Sequence, residues 1–282
     1  MSEIFYYNGH WSESEPKVLG PLDQAFWMGS AVFDGARAFN GLVPDLDKHC
    51  QRLIESAEKM NLSPKQNAKE IEALCLEGVS KLPRNEDYYI RPMFYPVDGA
   101  VVPDPASTTF ILAIYEWTMS ETPTFTACRS SYRRPAKDMA PADAKACCLY
   151  PNVVRAKLEA NRRGYDSGIV LDANGNVAEF ETSNLFLVKD GEVHTPILNG
   201  TFLNGITRQR IMQLLQNDGY IVRERSIPYE EILSADELFS TGNLEKVIYC
   251  TQVEGAPEKG IGPISKRARE LYFEFAESTR RN

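Results

Sequence analysis

Lys145, Tyr150 and Glu179 fall within one stretch, AKACCLYPNVVRAKLEANRRGYDSGIVLDANGNVAEFETSNLF, residues 144–186. A lysine amine is the side chain that captures an aldehyde carbon, and it must be neutral to do so. Lys145 stands between Ala144 and Ala146 with two cysteines following, small and mostly apolar neighbours that desolvate the amine and favour its neutral form. Glu179 follows Val177 and Ala178 on a strand-like run, where an unpaired carboxylate is costly to bury. Viewed one at a time, each reads equally well as a surface charge. Lys157 is a second candidate for the amine, but Arg155 and Arg162 give its helix a charged face.

Other residues offer the remaining parts of a cofactor site. Gly205-Ile206-Thr207 precedes a helical run, so free backbone N–H groups and a hydroxyl can hold a phosphate there. Ser240-Thr241-Gly242-Asn243 after a strand offers a second turn of donors. A Schiff-base lysine, an acid for a ring nitrogen, a phosphate cup and a group for a phenolic oxygen are what pyridoxal phosphate requires. Arg52 alone reads as a solvated helix charge. Arg91, inside a strand with Tyr88, Tyr89, Ile90 and Phe94, is more telling, because charges are seldom buried without a partner.

These residues need a scaffold. Helical spacing of apolar residues predicts helices over Asp45–Leu62 and Pro64–Leu82, the first capped by Asp45 or Asp47. A Pro start and Gly164 stop mark a helix over Pro151–Arg163, and others are expected at Thr207–Asn217, Tyr229–Leu233 and Ser265–Glu277. Asn8-Gly9, Asn174-Gly175 and Asp190-Gly191 mark hairpins. The run FWMGSAVFDGARAFNGLVPDL reads as a bent sheet edge, with Phe26, Trp27, Met28 and Phe33 available to wall an apolar pocket. Strands outnumber helices in mixed order, which points to an α+β class. A polar connector at Glu121–Pro123 divides the chain into a small N-terminal α/β domain (1–120), an interdomain connector (121–134) and a large C-terminal cofactor-binding domain (135–282).

The net charge of −8 comes from 31 basic and 39 acidic residues, with no basic block interleaved with aromatics, so nucleic acid is not an expected partner. The N-terminus MSEIFYYNGHW does not read as a signal peptide, and no apolar run reaches the roughly 20 residues of a membrane span. Three histidines and six cysteines are scattered without zinc spacing, so no metal site is expected. The reading is a cytoplasmic enzyme with reduced thiols.

The blocks VFDGARAF, HCQRL, YIRP, AKACCLY, GYDSGIVLDANGNVAE with SNLF, and GITRQRI, in this order, resemble the class IV (fold-type IV) pyridoxal phosphate aminotransferases, closest to the branched-chain amino acid subgroup. The resemblance runs from about Gly9 to the last helix. It implies a two-domain α+β fold of the D-amino-acid aminotransferase-like type, with the cofactor between domains in a homodimer. It implies that Lys145 binds the cofactor and moves the proton at the substrate α-carbon, and that Tyr150 meets the phenolic oxygen and Glu179 the ring nitrogen. Arg52, Ile206, Thr207 and Asn243 would hold the phosphate, and Met28, Phe33, Arg37, Tyr89, Arg91 and Leu244 the substrate. The implied reaction is a ping-pong transfer between a branched-chain or other hydrophobic amino acid and 2-oxoglutarate. D-amino-acid or (R)-amine aminotransferase, aminodeoxychorismate lyase and a non-catalytic binder of the cofactor are the alternatives. Three positions depart from the branched-chain pattern: Met28 replaces a tyrosine, Phe180 a glycine, and Asn243 a threonine. They leave the substrate pocket open.

Overall fold

A computed structural model describes residues 2–280. The chain forms two compact units. One comprises the chain up to Met119 with Ala144–Cys148 and the end from Thr279; the other comprises Ser120–Asp143 and Leu149–Ser278.

The first unit contains β1 (Glu3–Tyr7), β2 (His10–Ser12), α1 (Gln24–Met28), β3 (Val32–Phe33), β4 (Ala36–Ala38), α2 (Leu46–Lys59), α3 (Ala68–Ser80), β5 (Tyr88–Pro96) and β6 (Thr108–Glu116). Asn8 and Gly9, at φ 50° and 82°, make the tight turn between β1 and β2. The sheet order is β2-β1-β6-β5-β3, with β4 also on β5, all antiparallel. Leu46, Cys50, Leu53 and Ala57 of α2 and Ile71 and Cys75 of α3 pack with Tyr88, Ile90, Phe94, Leu112 and Ile114 of the sheet. This is the core that the helical periodicity pointed to. α3 starts later than expected because Asn67 and Glu70 form a reciprocal cap, Glu70 N to Asn67 Oδ1 at 3.0 Å and Asn67 N to Glu70 Oε2 at 2.8 Å. Asp45 does precede α2, but at φ 57° and without a side-chain cap, so the expected capping bond is not made.

One sequence expectation is corrected here. The run around Phe26 is a helix, α1, rather than sheet edge. Only Gln24 and Ala25 turn inward, which leaves Phe26 and Trp27 62% and 52% exposed on this chain.

The second unit contains β7 (Thr124–Arg133), α4 (Tyr150–Arg162), β8 (Ser167–Leu171), β9 (Val177–Phe180), β10 (Asn184–Lys189), β11 (Glu192–Pro196), α5 (Ile206–Asn217), β12 (Val222–Arg225), α6 (Tyr229–Ser234), β13 (Glu237–Gly242), β14 (Lys246–Val253) and α7 (Pro263–Ser278). Its sheet runs β12-β11-β10-β13-β14-β7-β8-β9 and mixes parallel with antiparallel pairs. The run TFTACRSSYRR, strand-like in sequence, supplies β7 inside this sheet, pairing β14 on one side and β8 on the other. Phe180, Leu185, Leu187, Ile227, Ile232 and Leu238 form part of its core.

Candidate active site

Lys145 joins the first unit in a short bridged segment alongside β3. Phe33 N donates to Lys145 O at 3.1 Å, Cys147 N donates to Ala31 O at 2.9 Å, and Ala146 bridges Val32. Lys145 N donates to Ser56 Oγ at 3.0 Å, which ties the segment to α2 as well. Ala144 and Ala146 are buried, and the Lys145 Nζ lies 4.6 Å from the Phe33 ring centroid. The small neighbours are what let backbone pair so closely with β3.

Next to this lysine the unit gathers three arginines. Asp34, between β3 and β4, is fully buried and accepts from Arg52 Nε at 2.7 Å and Arg52 Nη2 at 2.8 Å. Its Oδ1 is also 2.7 Å from His49 Nδ1, and Gly35 N donates to it at 2.7 Å. Burial alone pushes the Asp34 carboxyl up, but Arg52 and His49 outweigh it and hold the group well below the usual carboxylate range. Arg52 is thus not a loose surface charge. Its guanidinium is fixed along one edge by a carboxylate, with the side chain 16% exposed. Arg37 is wholly buried, donates to Trp117 O, and stands opposite Tyr89 in the β4–β5 pairing.

Arg91 lies against the rings of Tyr89 and Tyr115, 5.2 Å and 5.1 Å from their centroids. Those rings stack at 5.5 Å, Arg91 Nη2 donates to Tyr115 Oη, and Arg91 Nε is buried with no partner among the described residues. Burial pushes the Tyr89 phenol up, against the pull of Lys145 and Arg91. Burial likewise pushes Tyr115 up against Arg91 and Arg37, so its proton stays on at neutral pH. Tyr115 was not anticipated from sequence. Its partner sits across a β5–β6 pairing that no local pattern encodes.

Met28 closes α1 and is 37% exposed; Gly29, at φ 69°, follows it and approaches Cys148. Burial pushes the thiols of Cys147 and Cys148 up, which disfavours their thiolate forms.

In the second unit, Glu179 and Glu181 separate into two roles. Glu179 is 5% exposed; its Oε1 lies 2.6 Å from Arg134 Nη2, and its Oε2 accepts from Asn184 Nδ2 at 3.1 Å. Glu181 accepts from Ser167 Oγ at 2.5 Å and Gly168 N at 2.8 Å, with Lys157 Nζ 3.6 Å away. Lys157 is therefore the outer partner of a structural carboxylate. Arg134 was also missed from sequence, where it is one of two consecutive arginines without pattern. Phe180, the departure next to Glu179, points to the other face of β9, is wholly buried, and packs edge-on against Phe125 at 4.9 Å. The bulk that replaces glycine goes into the core.

Tyr150 opens α4 and is half-buried. Gly205 N donates to Asn184 Oδ1 at 3.2 Å, so the residue beside Glu179 also sets the start of α5, where Ile206 and Thr207 are buried. Thr241 Oγ1 and Asn243 Nδ2 are buried with no partner among the described residues. Leu244, the next residue, is 41% exposed. Among the described residues, no group of three or more His, Cys, Asp or Glu side chains is set to hold a metal ion, and no helix is long and apolar enough to cross a membrane.

The pattern of the amino-transferase class IV family matches residues 31–253, most of the chain. The chain belongs to the class IV aminotransferases. As a class IV aminotransferase it is 32% identical over 286 residues to a branched-chain-amino-acid aminotransferase of Escherichia coli strain K12, covering 96% of this chain and 92% of that one. A probable branched-chain-amino-acid aminotransferase of Rickettsia bellii is 31% identical over 278 residues, 98% of this chain and 96% of the other. Among solved structures, an aminotransferase from Brucella abortus, bound to the cofactor PLP, superposes with a TM-score of 0.96 at 45% identity, covering 98% of this chain and all of that one. The E. coli branched-chain enzyme superposes with a TM-score of 0.93 at 30% identity, covering 100% and 97%. The α+β class IV fold expected from the sequence is the one found.

Proposed function

We propose that this class IV aminotransferase uses pyridoxal 5′-phosphate to move an amino group between a branched-chain or other hydrophobic amino acid and 2-oxoglutarate, in ping-pong order. The observation that carries the reading is Arg91, a guanidinium on two tyrosine rings in the same unit as Lys145, with a buried Nε that no described residue satisfies. Such a group calls for a carboxylate ligand, and a planar guanidinium can hold one through two bonds. The relatives named as branched-chain aminotransferases give the side-chain class.

The residues present fit the cofactor. Buried donors without partners at Thr241 and Asn243, and the start of α5, suit a phosphate. Bound pyridoxal phosphate supplies an electron sink for the pair left at the substrate α-carbon. The chain supplies the rest. In this reading Lys145 Nζ would take the proton from the substrate α-carbon and return it across the C–N bond, at the cofactor's C4′ carbon, the general acid–base part of the work. Glu179, held by Arg134 and Asn184, keeps a proton on the ring nitrogen, and Tyr150 bonds the phenolic oxygen. Arg52, Ile206, Thr207 and Asn243 bind the phosphate. Tyr89 and Arg91 orient substrate carboxylates, Arg91 the distal carboxylate of glutamate and 2-oxoglutarate, while Phe33, Met28, Arg37 and Leu244 border the side chain. We also propose a cytoplasmic homodimer, which light scattering would report as twice the 31.7 kDa chain mass.

The test is a donor panel with 2-oxoglutarate: L-leucine, L-valine, D-alanine and an (R)-arylalkylamine. Activity with the two L-amino acids is expected. Activity with only the last two overturns the branched-chain reading, and pyruvate release without an amino acceptor identifies a lyase.

A further inference from the structure

At the end of β13 the chain turns through Asn243, Leu244 and Glu245 into β14, whose first residue is Lys246, paired with Gly242. Lys246 is wholly buried, which is rare for lysine, and holds a left-handed φ of 67° that few non-glycine residues adopt. Its Nζ donates to Asn243 Oδ1 at 2.7 Å and lies 5.3 Å from the Tyr272 ring centroid. An ammonium has donors and no acceptor, so it can face only the oxygen of the amide. That fixes the Asn243 flip: Oδ1 toward Lys246, Nδ2 away. Nδ2 is buried and unsatisfied among the described residues, as is Thr241 Oγ1 two residues earlier. A buried N–H without a partner is a standing demand for an acceptor.

We propose that Lys246 is a positioning residue for the cofactor's phosphate. By holding Oδ1 it aims Asn243 Nδ2 at a phosphate oxygen, and so replaces the threonine hydroxyl of the branched-chain pattern. The inference rests on the cofactor named above. It also explains why a threonine can be lost at this turn without losing the donor.

The test uses purified holoenzyme and two readouts that do not depend on turnover: the rate at which pyridoxal phosphate leaves on dilution into a scavenger, and the 31P resonance of the bound phosphate. Lys246→Met should release the cofactor about tenfold faster, the size of one charge-assisted hydrogen bond, and move the 31P shift. Asn243→Thr should retain the cofactor, and Lys246→Met added to it should change release less than twofold. Asn243→Asp, which keeps a partner for the lysine but removes the donor, should release at least tenfold faster even if Lys246→Met does not fold. Release at the wild-type rate from Asn243→Asp, or an equal effect of Lys246→Met in both backgrounds, overturns the proposal. Wild-type protein that holds no pyridoxal phosphate removes the proposed cofactor and this inference with it.

Discussion

Asp34 grips Arg52 along one whole edge, with Oδ2 2.7 Å from Nε and an oxygen 2.8 Å from Nη2, and it does so from a fully buried position. Asp34→Asn leaves Arg52 and His49 facing a neutral amide and should cost about 3–5 kcal/mol at neutral pH, as losing one partner of a buried pair does. The sign with pH follows from the depressed carboxyl. As pH falls through about 4, the unfolded chain takes up this proton first. The stability from the pair is therefore present above that range and lost below it. Urea melts at several pH values should show the variant flatter on the acid side; parallel curves would mean the pair is worth little.

Lys145→Ala removes the only group assigned to proton movement. The purified variant should lose the absorbance band of the lysine-bound cofactor that makes the wild type yellow, with activity lower by at least about 10²-fold, the usual span of general acid–base catalysis. Absorbance spectra decide it. A variant that keeps that band would move the assignment to another lysine.

Glu179 and Arg134 can be separated by kinetics and calorimetry. Glu179→Gln keeps the size of the side chain but not its charge, and should lower kcat by about 10²-fold or more if it governs a ring proton. Arg134→Ala leaves a carboxylate buried at 5% exposure without its ion pair, so thermal stability should drop along with kcat. An Arg134→Ala protein of wild-type melting temperature would show the pair to be dispensable.

Tyr115→Phe deletes the hydroxyl that accepts from Arg91 but keeps the ring stack. The expected result is a KM for 2-oxoglutarate raised about tenfold, one charged hydrogen bond's worth, with the KM for L-leucine little changed. A calorimetric titration of glutarate against 4-methylvalerate should show the same split. Equal losses for both ligands would make Tyr115 a packing residue.

The sequence carried the helices well because each had both a periodic apolar face and a chemical boundary, such as Pro151 and Gly164 around α4 or Gly205 before α5. The Asn-Gly and Asp-Gly hairpins were equally plain. α1 was not, since five residues hold too little periodicity to offset the strand-like look of Phe26 and Trp27. Arg52 shows the limit for the site. Its helix position looked solvated, and only the fold brings Asp34 beneath it. Tyr115 and Arg134 were invisible for the same reason: each matters through a partner on another strand, Arg91 or Glu179.

The way Lys145 is held has a consequence for synthesis. Residues 144–148 join the first unit by pairing along Ala31–Phe33, yet they follow Phe33 in the chain by more than a hundred residues. A nascent chain that has emerged only to Met119 has β3 with one side bare, an exposed sheet edge of the kind that recruits other strands. The lysine proposed to bind the cofactor and the cover for that edge arrive together. A chain truncated before Ala144 should aggregate more readily than the full chain, and limited proteolysis in the segment before Ala144 would report how firmly residues 144–148 are seated.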